Sequence, residues 1–152
     1  MKKASNSFIS STFWTERIGY VAGLETLKIM ERDRTYTYVD KFGEKLKKHW
    51  KELANHHKLP IKIKGINAIS SFDILLENSN KYKTLITQEM LKKGWLASNT
   101  VYSCINHDDD LLKRYIEELD KIFRLIVECE NGRCVDTVLE SELCHVGFER
   151  LN

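Results

Sequence analysis

Apolar residues recur at steps of mostly three and four over residues 15–34, at Ile18, Val21, Ala22, Leu24, Leu27 and Ile29. This is the period of an amphipathic helix. The run "TYTY" that follows, Thr35 to Tyr38, sets four β-formers side by side and predicts an interruption. A second helix is predicted over 39–56, with Phe42, Leu46, Trp50 and Leu53 on one stripe and Pro60 closing it. The pattern then changes to period two. Ile61 and Ile63, then Phe72 and Ile74, alternate with polar residues around Gly65, predicting two short strands.

A third helix is predicted over 81–93, with Leu85, Ile86, Met90 and Leu91 inward and Gly94 as its C-cap. "WLASNTVYSCI" is rich in β-branched and aromatic residues and predicts a third strand, with Cys104 buried in it as a small hydrophobe. Asn106 is the expected cap of a long helix to about residue 130, whose first turn carries Asp108, Asp109 and Asp110 where the macrodipole favours carboxylates. Its inward stripe is set by Leu111, Leu112, Tyr115, Ile116, Leu119, Ile122, Phe123 and Ile126, and a short helix and a tail end the chain. Two helices, two strands, a helix, a strand and a helix predict an α+β domain, a small sheet covered on one face by helices.

Composition narrows the classes. With 152 residues, 42% of them hydrophobic and 30% charged, the chain fits one domain with a real core. A net charge of +2 argues against nucleic acid or an anionic membrane as the main partner. No apolar run approaches the ~18 residues of a membrane span. "MKKASNSFIS" has a lysine pair but lacks the apolar stretch of a signal peptide. A cytoplasmic protein is therefore expected.

Candidate chemistry is sparse. Cys104, Cys129, Cys134 and Cys144 have no knuckle spacing, so no metal is expected on them. No dinucleotide fingerprint, Walker loop, nucleophile elbow or zinc-protease motif occurs. The acids of "NHDDD" read as helix N-terminal residues, His56 and His57 as solvated imidazoles at a helix end, and Trp14, Trp50 and Trp95 as core. The lysines of "KFGEKLKKHWK" read as the wet face of the second helix. The hydroxyl cluster Ser10, Ser11 and Thr12 stands apart, because short hydroxyls before a helix either cap it or hold a phosphate. Composition leaves both readings open.

Four segments in order carry a family resemblance: "FISSTFWTERIG", "TLITQEMLKKGWLAS", "NHDDDLLKRYIEELDKIF" and "LCHVGFERLN". Together they resemble class III pyridoxal-phosphate-dependent aminotransferases, in the branch similar to glutamate-1-semialdehyde 2,1-aminomutases. The resemblance implies the C-terminal part of a fold-type I enzyme. Residues 1–14 would come from the large-domain and dimer interface, 15–34 would be a connecting helix, and 35–152 the small α+β domain. It implies a homodimer in which Thr12, with Ser11 assisting, contacts the cofactor phosphate of the other subunit. The substrate would be a small amino acid or amino aldehyde.

Two departures follow. The family's cofactor-holding lysine lies upstream of the first motif, and none of this chain's lysines matches it, so no catalytic residue is assigned here and the missing large domain is an expected partner. In the aminomutases a glutamate precedes the last long helix. Counting back from His107, Asn99 stands at that position, as a substrate-funnel candidate in place of a carboxylate. Because the motifs run in family register to the first residues, Met1 is expected to be a boundary within a longer protein. The alternatives are a split-gene partner subunit or a non-catalytic dimerisation module, and a cut face is expected to expose apolar surface.

Overall fold

The computed structural model describes residues 16–144. The chain divides into two compact units between Thr35 and Tyr36. In the first, α1 spans Arg17–Arg32 and contains no buried residue. Its apolar positions Ile18, Val21, Leu24 and Leu27 are all exposed. α1 ends before the "TYTY" run: Asp33 caps it and Arg34 takes a left-handed φ of 49°.

The expected interruption at Thr35 to Tyr38 is therefore corrected, because these residues form the first turn of α2, Thr35–His57. Helix propensity costs only a few tenths of a kcal/mol per β-former, roughly, and tertiary anchoring overrides it. Tyr38 supplies such an anchor, its hydroxyl donating to the His107 carbonyl at 2.8 Å.

The second unit is the α+β domain. Strands β1 (Ile61–Lys64), β2 (Ile69–Ile74) and β3 (Thr100–Tyr102) form one antiparallel sheet in the order β1-β2-β3. Ile63 lies opposite Phe72, and Ile69 opposite Tyr102. On central β2, Ser70, Phe72 and Ile74 are buried while the residues between them are not, so the sheet turns one face to the core. Helices α2, α3 (Ser79–Lys92) and α4 (Asp109–Glu130) supply most of the rest of that core, with Leu59 and Val135 added from outside them. Trp50 meets Phe72 edge-on at 4.9 Å, and Phe72 meets Phe123 at 5.8 Å. The Trp50 indole N–H donates to the Tyr115 hydroxyl at 3.2 Å, which satisfies it in a dry interior. Trp95 packs against the core from its edge, and Trp14 lies outside the described residues.

Gly94 ends α3 as expected. Its φ is +79°, and the Trp95 and Gly94 amides donate back to the Met90 and Leu91 carbonyls, the paired bonds of a Schellman cap. Gly43 serves a different need, since a Cβ there would collide with the Asn67 carbonyl, so α2 lies against the turn between β1 and β2.

Three further expectations are corrected. Leu91 is 56% exposed; the inward face of α3 is Tyr82, Leu85, Ile86 and Met90, and Leu91 falls one helical step beyond it. Asn106 does not cap α4. Asp108 does, accepting from the Leu111 amide at 2.7 Å, because it immediately precedes the first helical residue. Cys104 is exposed, since β3 stops at Tyr102 and residues 104–107 form a turn. Among the described residues no helix is long and apolar enough to cross a membrane.

Candidate functional site

Ser11 and Thr12, the residues expected at a cofactor phosphate, lie outside the described residues. Asn99 is described, and its surroundings follow from the sheet. Just before β3, its carbonyl accepts from the Phe72 amide at 3.0 Å and its side-chain amide donates to the Phe72 carbonyl at 2.9 Å. One residue thus extends the β2–β3 pairing by a step, using a donor that a glutamate lacks. Its amide oxygen takes the Ser98 hydroxyl at 3.3 Å.

Asn99 lines an open cleft of about 540 Å³ whose walls include Phe72, Asp73, Ser79, Asn80 and Lys83. Asp73 is paired with Lys64 across the β1–β2 strands, so the Lys83 ammonium is the remaining formal charge among the cleft's lining residues. The lining is half apolar, with Phe72, Ile74, Leu75, Leu76 and Ile86, and half polar, with one cation beside the paired Asp73. One neutral amide does not make a cradle for a phosphate dianion, and the expected contact at Ser11 and Thr12 lies outside the described residues.

The acids of "NHDDD" have structural partners, as their positions predicted. Asp108 caps α4, Asp109 meets Lys45 at 2.7 Å and Asp110 meets Arg114 at 3.2 Å. The lysines of α2 are mostly exposed, with Lys47 reaching the Gly65 carbonyl at 2.6 Å.

The pair at the end of α2 differs from expectation. His56 is exposed, but only 10% of the His57 side chain is, and its Nε2 lies 2.7 Å from Asp120 Oδ1. Among the described residues, His56, His57 and Asp120 are the one group of three or more potential metal ligands, with their ligand atoms within 4.8 Å of one another. The sequence offered no signal for this partner. Asp120 reads as a solvated position beside the buried Leu119, and only the packing of α4 against α2 brings it to the imidazoles.

No protein-family model matches the sequence. The fold is the α+β fold expected of a small domain of fold-type I, a three-stranded antiparallel sheet packed with helices. The chain matches the structure of the PLP internal aldimine form of the Sphingopyxis sp. MTA144 FumI protein with a TM-score of 0.70 at 17% identity. That match covers 86% of this chain and 32% of the other. In sequence, the chain is 25% identical over 121 residues to a 3-aminobutyryl-CoA aminotransferase of Cloacimonas acidaminovorans (strain Evry). There it covers 76% of this chain and 29% of the relative. The chain thus spans about a third of the length of the proteins it matches.

Proposed function

We propose that this chain is the small C-terminal domain of a pyridoxal-phosphate-dependent aminotransferase of class III, in the branch resembling glutamate-1-semialdehyde aminomutases. The observation that carries the reading is the coincidence of two independent likenesses, in fold and in sequence, each over three quarters of the chain or more and each to about a third of a longer protein.

In this reading the whole protein is a cytoplasmic homodimer. Pyridoxal phosphate, when bound, supplies the electron sink for chemistry at the substrate α-carbon. The chain's own residues position and do not react. The Thr12 hydroxyl, with Ser11 beside it, donates to the cofactor phosphate of the other subunit, while Asn99 and Lys83 line the approach of a small amino acid or amino aldehyde. The lysine that holds the cofactor comes from the large domain, so the chain alone does not transaminate. The exposed apolar stripe of α1 supports a covered interface in the whole protein. The same stripe favours the second reading, a split-gene subunit whose companion chain carries the lysine.

The test is cofactor affinity of the native, cofactor-bearing species. Thr12→Ala is expected to weaken pyridoxal phosphate binding by about tenfold or more, the loss of one charge-assisted hydrogen bond of roughly 1.5–3 kcal/mol. Unchanged affinity would remove Thr12 from the site.

A further inference from the structure

The contact between the end of α2 and the middle of α4 holds a donor set that the aminotransferase reading does not use. His57 is mostly buried, and its ring is fixed from two sides: Nε2 lies 2.7 Å from Asp120 Oδ1, and the Phe123 ring packs edge-on at 6.4 Å. The other oxygen of Asp120 takes Arg124 Nη2 at 3.4 Å, which leaves Oδ1 toward the imidazole. His56 stands on the open side, its ring 4.9 Å from that of His57 and nearly perpendicular to it. All three ligand atoms fall within 4.8 Å of one another.

Four-coordinate zinc with arms of about 2.0–2.1 Å sets its ligand atoms about 3.3 Å apart. The His57–Asp120 separation is 2.7 Å, and no pair of ligand atoms is more than 4.8 Å apart. A rotation of the exposed His56 ring and a slight opening of the His57–Asp120 contact reach it. Two imidazole nitrogens and one carboxylate oxygen suit zinc rather than calcium or magnesium, which want oxygen. Arg124 on the far carboxylate oxygen and Phe123 against the His57 ring supply the outer support that orients ligands at metal sites.

We propose that His56, His57 and Asp120 form a surface zinc site, with water as fourth ligand, that clamps the C-terminal turn of α2 to α4. The proposal rests on the geometry of these three residues and not on the aminotransferase reading.

The experiment titrates zinc chloride into the metal-stripped 152-residue chain, following heat of binding and thermal midpoint. One equivalent is expected to bind at micromolar zinc and to raise the midpoint, with excess magnesium failing to compete. His56→Ala, at an exposed position that folding tolerates, is expected to weaken binding at least tenfold. Asp120→Asn should do the same, while His49→Ala, on another turn of α2, leaves affinity unchanged. Cobalt in place of zinc should give no thiolate-to-metal charge-transfer band. Binding that survives His56→Ala, a thiolate band that assigns the metal to the cysteines, or no zinc-dependent shift in the midpoint would each overturn the site and leave His57–Asp120 a plain structural contact.

Discussion

Tyr115 illustrates how burial at one residue becomes a property of the whole fold. Desolvation pushes its phenol well above the ordinary value, with the Trp50 hydrogen bond opposing only in part. The unfolded chain ionises this group near pH 10, roughly, while the folded chain keeps it neutral. The stability it contributes is therefore fully present below that pH and is lost as the pH rises toward the raised folded value. Urea midpoints measured between pH 8 and pH 11, or about that range, should fall at the alkaline end. Tyr115→Phe should flatten this part of the dependence while costing about 1–3 kcal/mol at neutral pH, because it orphans the buried Trp50 N–H. An equal alkaline loss in the variant would assign the effect elsewhere, with Tyr82, also raised first by burial, the next candidate. At the start of α4, Asp108→Ala removes the side-chain cap and should lower stability by about 1 kcal/mol by equilibrium denaturation. Asn106→Ala should not, which separates the observed cap from the one its sequence position suggested.

Elements with strong periodicity were legible before the structure. The stripes of α2 and α4, the alternation of β1 and β2, and the Gly94 stop all read directly from side-chain spacing, because burial on one face writes itself into the sequence. What did not read locally was decided by partners distant in the chain. The turn at Thr35 to Tyr38 is helical although its residues favour strands, and β3 is only three residues long because its pairing with β2 ends at Ile69–Tyr102. His57 and Asp120 are brought together by packing alone, and for Asn99 the family resemblance singled out the residue but not the Phe72 carbonyl that explains an amide there. Two predictions belong at this scale. Gly43→Ala should be strongly destabilising, since the Asn67 carbonyl must move to admit a methyl, and a denaturation midpoint within error of the unsubstituted chain would disprove that contact. On α1, Leu24→Glu with Leu27→Glu should reduce self-association of the chain in sedimentation while leaving the thermal midpoint of the α+β unit in place, because neither side chain is buried.

At the scale of the molecule, the chain has a hydrophobic core within residues 36–144 and, before it in sequence, an amphipathic helix with no buried position. The core of the second unit, the exposed stripe of the helix that precedes it in the chain, and the likeness in fold and sequence to about a third of longer proteins all support the proposed reading of a domain from a larger aminotransferase. The measurement that tests this most directly is the mass and cofactor content of the native species, captured from source cells with an antibody raised against the α+β unit. The account predicts a polypeptide well above 17.8 kDa carrying pyridoxal phosphate absorbance, or a chain of that mass held by a cofactor-bearing companion. A solitary 17.8 kDa species without companion or cofactor would contradict it.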